Sequence, residues 1–176
     1  MKIRFIEPAN TPYKKSLKNH FVYDENIRTP SNGIITLATI LKPIYGDVFC
    51  YSESISEIKW NDVFDADIIF ISIFTFNANR GYKLARYIRR HSKALIVFGG
   101  LHATLNYKET AKYCDYVLRG EGDELIVEFT KECITISSKT CLLVLKKSLI
   151  RSILSFIFLS AIKHLFTDKN LFDLFS

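Results

Sequence analysis

Short apolar runs and helical-period stretches alternate along the first 130 residues. The run at 3–6 predicts a strand that stops at Glu7-Pro8. A polar loop follows from Ala9 to about Pro30, and TPSNG then opens a helix whose apolar positions Ile34, Leu37, Ile40 and Leu41 share one face. Pro43 and Gly46 are expected to close it. DVFCY at 47–51 reads as a second strand, followed by a weaker helical patch with Ile55, Ile58 and Val63. DIIFISIF at 67–74 is continuously apolar, the pattern of a central parallel strand covered on both faces. From Asn77 to His91 the period becomes helical: Tyr82, Leu84, Ala85 and Ile88 point one way, and Arg80, Lys83, Arg86, Arg89 and Arg90 suit water. ALIVF at 94–98 is another buried strand, 106–113 a short helix, DYVL at 115–118 a fifth strand, and 123–132 the start of a further helix.

Strand–helix alternation of this kind predicts an α/β domain with a parallel sheet. Five strands with short connections suit a flavodoxin-like, Rossmann-like doubly wound sheet in the order 2-1-3-4-5. Ligands of such sheets bind outside the carboxyl ends of the strands, beside the switch point. Functional residues are therefore expected just after Ile6, Phe74, Phe98 and Leu118.

Glycine draws the eye to two of those places. Four of the seven glycines lie in GGLHAT and RGEGDEL, each directly after an apolar run. In the first cluster Gly99 and Gly100 let a backbone approach a bulky ligand without an intervening Cβ, and His102 and Thr104 add polar groups. A tight turn with a capping histidine explains the same residues. In the second, Gly120 and Gly122 open a helix whose free N–H groups favour an anionic or polar ligand group. Glu121 and Asp123 beside them argue against a bare phosphate. After the third strand, Ser72 and Thr75 offer hydroxyls and Asn77 is placed to cap the next helix. Each segment alone also reads as an ordinary turn. All three on one sheet edge form the small set of polar groups around a glycine-walled hollow that a cofactor pocket requires.

Other uses of such a sheet are excluded by missing residues. There is no G-x-x-x-x-G-K-[ST] phosphate loop and no G-x-S-x-G nucleophile elbow. EPANTP stands where a dinucleotide fingerprint would follow the first strand. No aspartate ends the third strand, as a phospho-receiver needs. The cysteines at 50, 114, 133 and 141 show no C-x-x-C spacing, so no zinc site or redox pair is expected. Their scatter suits buried free thiols in a reducing cytoplasm. His102 has no second ligand at metal spacing.

Charge separates the tail from the rest. The formal net charge is +6, yet residues 1–132 carry 18 basic and 16 acidic side chains, and residues 133–176 carry 6 and 2. The main domain shows no basic stripe with interleaved aromatics, so nucleic acid is not an expected partner. No glycine follows Gly122 and no proline follows Pro43. The stretch 141–166 reads as an apolar C-terminal helix, but its longest uncharged run, 152–162, is 11 residues. A spanning helix needs ~20. An interfacial helix on a membrane surface, a partner-binding helix and a helix packed on the domain stay open.

The segments IRFIEPAN, TPSNGIITLATIL, ADIIFISIFTFNANRGYKLARYIR, VFGGLHAT and DYVLRGEGDELIVEF, over about residues 1–130, together resemble the N-terminal cobalamin-binding (vitamin B12-binding) domain of B12-dependent radical SAM enzymes. The spaced G-G-x-H and G-E-G motifs are the specific part. The resemblance implies a cobalamin corrin ring held against the carboxyl-end loops. Ser72 and Thr75 fall in the family's S-x-x-T loop, Gly99, Gly100 and His102 in G-G-x-H, and Gly120 and Glu121 in G-E-G. By resemblance these line the corrin and its nucleotide tail. The D-x-H-x-x-G motif of mutases and methionine synthase, whose histidine ligates cobalt, is not met. His20 is the only histidine of that loop, so no protein cobalt ligand is expected. The family's C-x-x-x-C-x-x-C, which holds a [4Fe–4S] cluster, has no counterpart here. The expectation is a cobalamin-binding domain at 1–132 with an unrelated helical tail at 133–176, as a truncated or frame-shifted gene would give. Such a chain binds cofactor without an iron-sulfur cluster or autonomous catalysis, and meets a radical SAM domain on another chain. The rival expectation is a vestigial α/β module acting only through its tail.

Overall fold

The computed structural model describes residues 1–10, 12 and 29–136. His20 and the apolar stretch 141–166 lie outside the described residues. The chain divides into two units, Met1–Glu128 and Phe129–Ser176.

Within the first unit, five strands form one parallel sheet: β1 (Ile3–Glu7), β2 (Val48–Ser52), β3 (Ile68–Ser72), β4 (Leu95–Gly99) and β5 (Tyr116–Val117). The spatial order is β2-β1-β3-β4-β5. This is the doubly wound, flavodoxin-like arrangement expected, with the switch point between β1 and β3. The central strands β3 and β4 are apolar on both faces, as a sheet covered on both sides demands. Ile69, Ile71, Ile96 and Phe98 are fully buried toward one face. Each such side chain contributes roughly 1.5–3 kcal/mol of burial. On the other face Phe5 and Phe70 stack with their centroids 4.8 Å apart.

The helices follow from period and punctuation. In α3 (Ala78–His91) the buried positions are Ala78, Gly81, Tyr82, Leu84, Ala85 and Ile88, the stripe read from the sequence. Gly81 is required there by closeness, since a Cβ would come within 2.5 Å of the Ile73 side chain. α2 (Trp60–Phe64) is shorter than the apolar pattern suggests and leaves Ile55 in a turn. α1 (Asn32–Tyr45) runs through Pro43 rather than closing at it. The proline sits in the last turn, where its missing N–H costs only one helical bond. Gly46 is the terminator, with φ 70° and its N–H on the Lys42 carbonyl. An element absent from the sequence reading, α4 (Leu101–Leu105), starts at once after Gly100 and is followed by α5 (Tyr107–Thr110). α6 (Gly122–Ile136) opens against α1, where Gly122 faces the Leu37 side chain.

An ion cluster around the buried Arg4 closes the amino-end side of the sheet. Arg4 of β1 is 2 % exposed and forms a two-point pair with Asp62 of α2, both contacts at 2.6 Å. It also meets Asp47 at 2.8 Å. The Tyr51 hydroxyl donates to Asp62 at 2.5 Å. Cys50 departs from the expectation of buried thiols: it is exposed, because β2 is an edge strand whose outer side is only partly covered.

Candidate functional site

The carboxyl ends of β1, β3 and β4 are laced together before any ligand is considered. Glu7, at the end of β1, accepts from the backbone N–H of Ser31 at 3.0 Å and from the Ser52 hydroxyl at 2.8 Å. Asn77 is 1 % exposed and spans two loops. Its Oδ1 accepts the Phe74 N–H and its Nδ2 donates to the Pro8 carbonyl, both at 2.8 Å. The sequence places Asn77 as a helix cap. It does occupy the N-cap position of α3, but its side chain makes no capping bond and turns back to the loops instead. The Glu53 carboxylate, 4 % exposed, is held by Arg80 through contacts of 2.6 and 3.0 Å.

The residues singled out from sequence meet on this edge. Ser72 is opposite Gly99 in the ladder, and the Ile73 N–H donates to the Gly99 carbonyl at 2.9 Å. Thr75 is exposed just beyond. The two glycines of the first cluster turn out to have different reasons. A Cβ on Gly100 would lie 2.7 Å from the Ile73 carbonyl oxygen, and the residue has φ 93°. Its glycine is demanded by the fold. A Cβ on Gly99 would meet nothing within 4 Å. Gly120, with φ 84°, also faces open space, and Glu121 beside it is exposed. Thr104 joins the two clusters: its hydroxyl donates to the Gly100 carbonyl at 3.0 Å and accepts the Gly120 N–H at 3.1 Å.

His102 behaves differently from its neighbours. It is 6 % exposed, so its ring is part of the packing under the edge. Nδ1 lies 3.2 Å from the Thr75 hydroxyl and Nε2 3.1 Å from the Tyr82 hydroxyl. Tyr82 and its partner Thr110 support the ring from below, although the sequence pattern marks them only as helix residues. A buried tyrosine needs a partner for its hydroxyl, and that need was the available signal.

Around these polar groups the rim is apolar. Phe76, Leu101 and Leu105 are 69, 58 and 67 % exposed, and Phe74 stacks on Phe76 at 5.7 Å. Open space over two glycines, an exposed hydroxyl and an apolar rim thus lie together on this edge. No group of metal-ligating side chains occurs among the described residues. A shallow depression lined by Lys59, Trp60, Asn61 and Asp62 lies beside the Arg4 cluster and not on this edge.

Residues 55–130, from before α2 into α6, match the family model of the B12 binding domain. Over those residues the chain is similar to a B12-binding domain. Over 61 residues it is 38% identical to the bacteriochlorophyllide d C-8(2)-methyltransferase of Chlorobaculum tepidum, a stretch covering 35% of this chain and 13% of that protein. The structure of TsrM, a radical S-adenosylmethionine methyltransferase from Kitasatospora setae with cobalamin and a [4Fe-4S] cluster bound, superposes with a TM-score of 0.56 at 13% identity. That match covers 77% of this chain and 25% of TsrM, and it shows the fold. The resemblance to the B12-binding domain of radical SAM enzymes, carried by the G-G-x-H and G-E-G motifs, is borne out by these matches taken together. The chain spans a small fraction of each methyltransferase.

Proposed function

We propose that this B12-binding domain holds cobalamin along the carboxyl edge of its sheet and serves a radical SAM methyltransferase reaction without completing it alone. The observation that carries the reading is the open space over Gly99 and Gly120 on the same edge as the exposed Thr75. A face of the ring would lie over the two glycines, where no Cβ intervenes. Thr75, and Ser72 behind it, would meet polar groups at the ring's edge, and Phe76, Leu101 and Leu105 would shield apolar parts from water. Glu121 is placed to accept from a ligand amide or hydroxyl. Cobalamin, when bound, supplies a cobalt centre able to carry a methyl group. The described protein residues contribute binding, orientation and shielding.

The 176 residues contain no C-x-x-x-C-x-x-C. The cluster and S-adenosylmethionine would be supplied by a radical SAM domain outside the described residues, which would cover the exposed apolar rim. Among the described residues, no helix is long and apolar enough to cross a membrane. A reducing cytoplasm suits the free thiols of Cys50, Cys114 and Cys133.

Hydroxocobalamin mixed with the purified protein and passed through gel filtration tests the reading. The corrin spectrum is expected to elute with the protein. A colourless protein peak, with all corrin in the small-molecule fraction, would overturn it.

A further inference from the structure

Beneath the edge runs a chain of hydrogen bonds that starts from Thr110. The Thr110 hydroxyl donates to the Asn106 carbonyl at 3.1 Å. A carbonyl only accepts, so the single hydroxyl hydrogen of Thr110 is used there. Toward Tyr82, whose hydroxyl is 3.2 Å away, Thr110 is left as an acceptor. The Tyr82 hydroxyl therefore donates to Thr110 and offers only lone pairs to His102 Nε2, 3.1 Å away. That contact is a hydrogen bond if Nε2 bears the proton. Nδ1 is then an acceptor, and two donors point at it: the Thr75 hydroxyl at 3.2 Å and the Asn106 amide at 3.3 Å. Burial pushes the Tyr82 phenol up, which keeps it a protonated donor.

We propose that His102 is a positioning residue whose Nε2–H tautomer draws the Thr75 hydrogen inward, so that Thr75 presents only lone pairs to the ligand. The edge then takes a hydrogen-bond donor at this point, an amide N–H or a hydroxyl. Primary amides surround a cobalamin ring, and the ligand named for Thr75 rests on the cobalamin reading above. His102 does not touch the ligand. Its G-G-x-H position matters because the turn after Gly100 drops the imidazole under Thr75 and over Tyr82. His102 N–H on the Ile73 carbonyl at 3.1 Å fixes that turn.

Two measurements test this independently. Long-range proton–nitrogen correlation on ¹⁵N-histidine protein, without ligand, reads the tautomer directly. The Nε2–H form is expected, and an Nδ1–H or doubly protonated ring would overturn the proposal. The second is a double-mutant cycle on hydroxocobalamin affinity. Thr75→Val is expected to weaken binding about fivefold to tenfold, and Thr75→Ser to stay within about twofold of wild type. Tyr82→Phe keeps the ring contacts with Phe98 and Tyr113. It removes the acceptor for Nε2–H, and Tyr82 is only 3 % exposed, too deep to touch a ligand. It is expected to weaken binding by a similar factor in wild type and not at all in the Thr75→Val background. Equal losses in both backgrounds, with melting temperatures matched, would overturn the relay. Failure of the wild type to retain hydroxocobalamin would overturn the ligand named for Thr75, while the tautomer would still report on the relay in the free protein.

Discussion

The Thr104 hydroxyl accepts the Gly120 backbone N–H at 3.1 Å, and so binds the loop after β5 to the helix after β4. The same oxygen donates to the Gly100 carbonyl. One side chain thus sets the spacing between the two glycine clusters. Thr104→Val removes both bonds at constant shape. The expected cost is about 1–3 kcal/mol, at roughly 0.5–1.5 kcal/mol per hydrogen bond. Denaturant unfolding should show it, hydroxocobalamin affinity should fall as well, and Thr104→Ser should restore both.

Gly99 and Gly100 should respond in opposite ways to the same substitution. Gly100→Ala forces a Cβ to 2.7 Å from the Ile73 carbonyl oxygen at a positive φ. It should cost on the order of 2 kcal/mol or more. Gly99→Ala meets nothing and should leave unfolding within about 0.5 kcal/mol of wild type. It should still weaken hydroxocobalamin retention, because the new methyl occupies the space proposed for the ring. Equal retention by Gly99→Ala and wild type would place the ligand elsewhere.

Asn77 ties the β1 and β3 loops from a position with almost no water access. Asn77→Ala strands the Phe74 N–H and the Pro8 carbonyl. The loss should be on the order of 2 kcal/mol, read by thermal or denaturant unfolding.

Acid should loosen the Arg4 cluster. The Arg4 guanidinium, and then the Tyr51 hydroxyl, hold the Asp62 carboxyl below its ordinary value against the opposing effect of burial. With the folded value depressed, the stabilisation is present above the unfolded value and is lost as pH falls through the folded one. Stability should therefore drop from about pH 4 downward. Asp62→Asn should lower stability at neutral pH by on the order of 2–3 kcal/mol and flatten that acid slope. Tyr51 works at the other end. Burial, and then the bond to Asp62, push its phenol up to about 12. A group raised in the folded state loses its contribution as pH climbs from the unfolded value toward the folded one. Tyr51→Phe should remove part of the alkaline fall in stability above about pH 10.

Strand positions and their order were legible because a parallel sheet covered on both sides writes itself as continuous apolar runs. Ile68–Ser72 and Leu95–Gly99 are the clearest cases. The meeting of Ser72, Thr75, Gly99, Gly100 and Gly120 on one edge followed from that order alone. Three details did not follow. Pro43 passes inside α1 because a proline in the last turn disturbs little, and sequence cannot tell that turn from a stop. The single-turn α4 is too short to carry a period. The link between Tyr82 and His102 joins residues 20 apart, through a contact that only the approach of α3 to α4 creates. Separating Gly99 from Gly100 required knowing what a methyl would strike.

Asn77 between β1 and β3, the Ile73–Gly99 bond between β3 and β4, and Thr104 between β4 and β5 follow one another around the rim. Among the described residues, Pro8 and the loops after β3, β4 and β5 are thereby stitched into one continuous hem. A molecule settling there would meet little slack to take up, since the freedom of those loops was surrendered when the chain folded. Its affinity would then be governed by fit and by water release, with scant ordering entropy to oppose either.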